Sequence, residues 1–478
     1  MAKLYVFGIG GTGSRVIKSL TMLLASGIDV NNFEIVPIII DPDQANGDVT
    51  RTVEILKNYQ YIRNKLSFSG NEENKFFQTP ITNSTQNFKL ELSDVKNDRF
   101  KDYIEYASLD ESNKALLSIL FSDENFNSDM EVGFKGNPNI GSVVLNQFNK
   151  SQDFREFASS FGQDDRIFIV SSIFGGTGAA GFPLLLKNIR KGSDLPNAAL
   201  IQNAPVGAIT MLPYFGVAPD ENSKIDKSTF ISKAKAALTY YEKNVSGNNS
   251  INALYYIGDH PNNDYTNNEG SSTQKNDAHF LELAAALAIV DFAKTDSFLL
   301  QNTNGVAQNP SYKEFGIKNI VNEIIFSDLG EDTQTVIKKN LTQYQLFNLY
   351  LKDKLNDATD QNWAKNISLD SFLTNPFFNS YLKTFNNYFA EWLHEMGSNK
   401  ISFKPFDLDA NHTNLFEMVK GKRPDISILE KMGSKNYNRY NLILSKNEPK
   451  ITSNSKEEKF MALFYKTTED LVKEKYNF

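Results

Sequence analysis

The stretch Ser171-Ser172-Ile173-Phe174-Gly175-Gly176-Thr177-Gly178-Ala179-Ala180-Gly181-Phe182-Pro183 decides how the chain is read. Just before it, Arg166-Ile167-Phe168-Ile169-Val170 is a short apolar run rich in β-branched residues, the pattern of a buried strand. Just after it, Leu184 to Arg190 has a helical pattern that ends in basic residues. The unit is strand, glycine-rich turn, helix. Glycines admit positive φ and let the backbone approach a ligand closely. The N–H groups of such a turn and of the helix start form an anion site, to which Thr177 adds a hydroxyl. No lysine stands in the turn, so it is not a Walker A loop. Taken alone, it fits a ligand-free βα connection equally well.

Working outward, the 478 residues suffice for two or three domains. A formal charge of −7 argues against a general nucleic-acid binder. There is no cysteine, which excludes disulfides, thiol catalysis and thiolate metal sites. The four histidines (His260, His279, His394, His412) are scattered, so an imidazole-built metal site is not expected and no protein metal ligand is assigned. The start runs straight into a glycine turn without a signal peptide. The longest apolar stretch, Phe280 to Ala293, carries Glu282 and Asp291 and falls short of the ~20 residues a membrane-spanning helix needs. The expectation is a soluble cytoplasmic protein. Abundant Asn, Lys and Phe match the coding bias of an AT-rich bacterial genome.

Taken in order, Lys3–Phe7 reads as a strand, Gly8-Ile9-Gly10-Gly11-Thr12-Gly13-Ser14 as a glycine turn, and Arg15–Leu24 as a helix. Phe33–Ile40 reads as a second buried strand, ending in Asp41-Pro42-Asp43-Gln44. That order fits a dinucleotide-binding Rossmann unit, although Asp41 lies further from the turn than the usual ~20 residues. An E1-like adenylating domain starts with a similar turn. Asp41 and Asp43 serve equally as a ribose or phosphate contact and as turn or capping acids. Residues 48–130 are polar and patchily helical, and read as an insertion. Gly133 to Ser142 reads as a loop before a helix at Val143–Phe148, with Gly141-Ser142 opening it. Further strands are expected at Pro205–Leu212 and Ile251–Ile257, and a helix at Lys227–Asn244. Asn276 is expected to cap a long buried helix reaching about Ala293.

This succession resembles the tubulin/FtsZ superfamily, in particular its divergent bacterial members. Gly175-Gly176-Thr177-Gly178-Ala179-Ala180, with Pro183, resembles the family's GGGTGTG/S signature, and Gly8 to Gly13 its opening glycine loop. Asp41-Pro42-Asp43-Gln44 stands where bacterial members have NTDxQ, and Gly136-Asn137-Pro138-Asn139-Ile140-Gly141 is close to GANPEIG. Pro213-Tyr214-Phe215 is similar to KPF, Gly258-Asp259 falls at a ribose or base contact, and Asn276-Asp277 at the base-reading position. The resemblance implies a Rossmann-like α/β parallel-sheet GTPase domain over residues 1–300, with a long central helix, and a divergent, mainly helical region over 301–478.

It also implies GTP or GDP with Mg²⁺ as ligands. Gly10, Gly11, Thr12 and Gly13 would lie near the α/β-phosphates, Gly175, Gly176, Thr177 and Gly178 near the β/γ-phosphates, and Gly136 and Asn137 at the γ-phosphate. Asp41, Asp43 and Asp259 would line the site, and Asn276 with Asp277 would read the base. Self-assembly into filaments is implied, with a protein partner on the C-terminal helices and indirect membrane association as further options. The departures are specific. Arg15 replaces a guanine-reading asparagine, and the family's NxDxxD synergy loop has no clean copy. Only Asp291, in Val290-Asp291-Phe292-Ala293, remains as a candidate catalytic acid, and a salt-bridged structural acid is the competing reading. Turnover is therefore expected to be slow or absent. A non-polymerising GTP-bound switch or scaffold, and a Rossmann or E1-like enzyme using NAD or ATP, stay open as alternatives. The aromatic stripe of a helix expected at Asn375–Met396 fits core better than a partner groove.

Overall fold

Runs rich in Ile, Val, Leu and aromatic residues supply the interior of one parallel sheet, flanked on both faces by helices. The computed structural model describes residues 1–43, 45–68, 74–92, 99–130, 134, 137–217, 227–259, 264–265, 275–315, 322–411, 413–426, 435–453 and 455–478. The strands are β1 (Lys3–Ile9), β2 (Glu34–Ile40), β3 (Arg166–Ser172), β4 (Val206–Met211), β5 (Ala253–Ile257) and β6 (Ser311–Glu314). Their spatial order is β6-β5-β4-β3-β1-β2, and all five pairings are parallel. Tyr5 pairs with Val36 on one side and Ile167 on the other, and Ala208 joins Ile169 to Leu254. Side chains alternate between the faces. Leu4 and Val6 enter one core; Tyr5, Phe7 and Ile9 enter the other.

Ten helices matter to the site and its support: α1 (Gly10–Ala25), α2 (Gly47–Asn64), α3 (Pro138–Leu145), α4 (Gly176–Lys191), α5 (Lys227–Tyr241), α6 (Phe280–Lys294), α7 (Glu331–Asp353), α8 (Lys383–Ser398), α9 (Lys435–Asn447) and α10 (Lys456–Tyr476). Helices α1, α2, α6 and α7 to α10 contribute to the first core, and α3 and α4 to the second. The α/β sheet and the helical C-terminal region are as expected from the sequence. The aromatic stripe of α8 is core: Phe385, Phe389 and Trp392 are buried, and the Trp392 indole N–H donates to Ser19 Oγ on α1 at 3.1 Å. The sheet also reaches past residue 300, because β6 pairs with β5.

Several element starts differ from the sequence reading. Gly8 and Ile9 continue β1, and Gly10 already begins α1 with φ +72°, a conformation that glycine adopts without strain. Gly176 likewise begins α4, so the central glycines are the first helical turn and not a separate loop. Pro183 sits inside α4, where it removes the bond to the Ala179 carbonyl; the Tyr241 hydroxyl fills it at 3.2 Å. Helix α3 starts at Pro138, not Val143, because Asn137 caps it and proline suits the first helical position. Helix α6 starts at Phe280 and not at Asn276: His279 Nδ1 accepts the Leu281 N–H at 3.1 Å, and Glu282 accepts the His279 N–H at 3.1 Å. Its other end is held by Arg166, whose guanidinium donates to the carbonyls of Phe292, Ala293 and Thr295. Residues 48–64, expected within an insertion, form α2 in the main core, with Val49, Ile55, Leu56 and Tyr59 buried. Helix α9 is rich in Asn and Lys and yet contributes Tyr440, Ile443 and Leu444 to the first core.

Candidate functional site

Because the strands are parallel, the connections that follow them emerge at one edge of the sheet. Along it stand Gly258-Asp259 after β5, Pro213-Tyr214-Phe215 after β4, Gly175–Gly178 after β3, Gly10–Gly13 after β1, and Asp41 to Asp43 after β2. The chain first moves from β1 to β2 on one side and later places β3 on the other, so the strand order reverses between β1 and β3. Open α/β sheets bind ligands outside the carboxyl ends of their strands at such a reversal.

The two glycine runs flank that crevice. A Cβ built on Gly10 would lie 3.6 Å from the Thr177 Cβ, so the starts of α1 and α4 adjoin. Ile9 and Gly175 hold the N-cap positions, and neither makes a side-chain capping bond. The first-turn amides of two 16-residue helices are thereby presented with the positive ends of both dipoles. Close packing requires two of the glycines. A Cβ on Gly13 would stand 2.5 Å from the Gly8 carbonyl carbon, and one on Gly178 2.5 Å from the Ser172 carbonyl oxygen.

Helix α3 brings a third terminus alongside. A Cβ on Gly141 would come within 3.0 Å of the Gly176 carbonyl oxygen, so α3 lies directly on the start of α4. Asn137 caps its own helix, its Oδ1 accepting the N–H groups of Asn139 (3.1 Å) and Ile140 (3.4 Å). Gly136 lies outside the described residues. Asp41 accepts the Asp43 N–H at 3.0 Å and the Asn46 side-chain amide at 3.2 Å. Burial and the neighbouring Asp43 charge lift the Asp41 carboxyl to about 7, against the Asp43 N–H and Lys89, which pull it down. Asp259 stands beside the β4 turn, its N–H directed at the Pro213 carbonyl at 3.5 Å.

Behind the first glycine turn lies a buried ionic network. Arg15 Nη1 donates to Asp48 at 2.7 Å, Nε to Glu282 at 2.5 Å, and Nη2 to the Tyr214 hydroxyl at 2.9 Å. Tyr214 donates in turn to Glu282 at 2.9 Å. Burial opposes the charge on Arg15, but Glu282, Tyr214 and Asp48 outweigh it and hold the guanidinium protonated. Asp48 also accepts the backbone N–H and the side-chain amide of Asn276, each at 3.0 Å. Asn276 is thereby tied through Asp48 of α2 to Arg15 on α1, and Asp277 next to it is exposed. Partial burial and the charge of Glu395 raise the Asp277 carboxyl above its usual range. His279, buried and close to Arg15, is pushed down to about 4 and is neutral at pH 7.

The structure thus gathers Gly10–Gly13, Asp41, Asp43, Asn137, Gly175–Gly178, Asp259, Asn276 and Asp277 around one edge. Asp291 is elsewhere, close to the far end of α6. It accepts the Tyr255 hydroxyl at 2.6 Å and pairs with Lys313, the arrangement of a salt-bridged structural acid. Sequence reasoning missed Asp48, Arg51, Glu282 and Glu395. Two signals were present: Arg15 and Lys18 in an otherwise apolar helix need partners, and His279-x-x-Glu282 has capping-box spacing.

Among the described residues, no three carboxylate or imidazole side chains converge to hold a metal ion. Mg²⁺ commonly takes most of its oxygens from substrate phosphates and water, so this edge is compatible with an ion carried by a polyphosphate. The uncapped, glycine-led termini fit the polyphosphate itself. Among the described residues, no helix is long and apolar enough to cross a membrane.

No family model matches the chain, and no curated protein does. Similar solved structures include CetZ2 from Haloferax volcanii, a GTPgS bound protofilament, at 12% identity and a TM-score of 0.28, covering 61% of this chain and 58% of that one. CetZ from Methanosaeta thermophila strain DSM 6194 is similar at 14% identity and a TM-score of 0.25, covering 63% and 54%. The chain spans less than two thirds of the length of either solved chain.

Proposed function

We propose that this chain is a tubulin/FtsZ-like protein that binds a guanine nucleoside triphosphate at the carboxyl edge of its sheet, assembles with copies of itself in response, and turns the nucleotide over slowly or not at all. The observation that carries this reading is the adjacency of two uncapped, glycine-led helix starts, Gly10–Gly13 and Gly176–Gly178, at the reversal of strand order. Their amides and dipoles would hold a polyphosphate without a lysine. The fingerprint of a dinucleotide-binding Rossmann unit uses one such start, whereas the pair here suits a chain of three phosphates.

Asp277, exposed beside Asn276, offers a carboxylate to the N1–H and N2–H₂ of guanine, whereas adenine presents an unprotonated N1 there. Such polar matching discriminates strongly, because a mismatched partner leaves groups unpaired. Slow turnover is supported by the pairing of Asp291 with Lys313 and Tyr255, which occupies the one acid proposed to orient water.

The test is to denature purified protein, identify any released nucleotide, and titrate refolded or empty protein with labelled GTP and ATP. GDP, GTP or a clear preference for GTP supports the reading. NAD, an adenine nucleotide or a preference for ATP overturns it. Light scattering and pelleting with GTP and Mg²⁺ then separate self-assembly from a non-polymerising switch, and phosphate release measures turnover.

A further inference from the structure

The segment that carries Asp277 is gripped from a helix more than a hundred residues downstream. Glu395 on α8 is buried, and its Oε2 accepts the Ala278 N–H at 2.8 Å. Asn399, at the C-terminal cap of the same helix, donates its side-chain amide to the Ala278 carbonyl at 2.8 Å and to the Glu395 carbonyl at 3.0 Å. On the other side of Asp277, Arg51 donates to the Asn276 carbonyl at 2.7 Å, and Arg51 is itself paired with Glu395. Both residues flanking Asp277 therefore have backbone groups fixed by a chain of contacts that passes through α8. Lys18 on α1 completes the surroundings of Glu395 at 2.9 Å.

Resting on the nucleotide-site reading above, we propose that Glu395 and Asn399 are positioning residues for base selection. They set the backbone on which Asp277 stands, so that the preference for guanine depends on α8 although neither residue reaches the base. Glu395 has two duties. Its Oε2 accepts both from Lys18, which ties α8 to α1, and from the Ala278 N–H, while its Oε1 faces Arg51; these last two contacts, with that of Asn399 to the Ala278 carbonyl, hold the selecting segment.

Removing these contacts one at a time supplies the experiment. Affinities for GTP and ATP are measured by titration on wild type, Glu395→Gln, Asn399→Ala and Lys18→Met, with a melting curve for each. Glu395→Gln keeps the shape but can turn amide hydrogens toward donors, and Asn399→Ala removes the grip on the Ala278 carbonyl. Both are expected to lower the GTP-to-ATP affinity ratio by roughly tenfold, the size of one lost, well-placed hydrogen bond. Lys18→Met is expected to lower the melting temperature and leave the ratio unchanged. If Glu395→Gln and Asn399→Ala melt lower but keep the wild-type ratio, the role is structural and the inference is overturned. If Lys18→Met shifts the ratio as much as they do, it is overturned as well. A wild type with no preference for guanine removes the site reading itself, an outcome distinct from the other two.

Discussion

Arg15 gives the sharpest test of the site, because its position in the sequence and its place in the structure predict different things. By position it would read a base. In the fold its side chain is 4% exposed and wedged between Asp48 and Glu282, which are 0% and 1% exposed. Replacing it by methionine keeps most of the aliphatic stem and deletes the cation that, among the described residues, touches both carboxylates. Removing one partner of a buried ion pair costs about 3–5 kcal/mol. The lower end applies here, since Asp48 keeps Asn276 and Glu282 keeps the Tyr214 hydroxyl and the His279 N–H. A loss of about 3 kcal/mol lowers Tm by roughly 3–5 °C in a chain of 478 residues. Because Glu282 is one of the stranded charges, adding Glu282→Gln should restore part of the loss, a coupling of about 1–3 kcal/mol in a double-mutant cycle. The assay is thermal unfolding of the four proteins, with GTP and ATP titrations below the lowest Tm. A variant R15M with the wild-type Tm and no preference for GTP would refute the reasoning, because it would place the guanidinium on the base instead of in the network.

The remaining predictions concern titration and packing. Asp41 has a folded pKa of about 7, above its unfolded value near 4, so its contribution is complete at low pH and disappears as pH rises from about 4 to 7. Asp41→Asn should remove that fall, on the order of 1–2 kcal/mol once its partial contact with water is allowed for, and Tm against pH would show it. His279 acts in the opposite sense. Its folded value of about 4 lies below the ordinary ~6.5, so stability is lost as pH drops through that window, and His279→Asn should keep the helix cap while flattening the acid limb. Gly178→Ala would push a methyl to 2.5 Å from the Ser172 carbonyl oxygen, a backbone atom that cannot rotate away, so we expect a loss of about 2–3 kcal/mol together with nucleotide affinity. Gly330→Ala, where a Cβ meets nothing within 4 Å, should stay within about 0.5 kcal/mol of wild type.

The sheet interior was legible because each central strand is a continuous apolar run between punctuating residues. Its edge strand was not: Ser311-Tyr312-Lys313-Glu314 has the composition of a loop and becomes a strand only because Tyr255 and its neighbours offer a free edge. Glycine-rich stretches were read as turns, yet Gly10 and Gly176 begin helices, since a helix start needs no side chain and here must lie flat on a strand. Helix α9 hid behind Asn and Lys, although Tyr440, Ile443 and Leu444 already stand at helical spacing and are buried. Candidate ligand contacts at strand ends followed from local motifs. The ions behind them did not, because Arg15 meets Glu282 and Lys18 meets Glu395 across hundreds of residues, and pairing at that range leaves no local pattern.

The network is better explained by position than by stability. Buried ion pairs commonly break even against apolar side chains of the same volume, so Arg15, Lys18, Arg51, Asp48, Glu282 and Glu395 are a poor way to make this core more stable. Charged hydrogen bonds, in contrast, fix direction and distance, which packing alone leaves looser. Every carboxylate in this set also accepts a backbone N–H from residues 276–279: Asp48 from Asn276, Glu395 from Ala278 and Glu282 from His279. Three separate helices thereby locate one four-residue segment that has no regular secondary structure of its own. An apolar core could support the same helices, but it could not hold those amides, and the segment would lose its fixed place beside the first glycine turn.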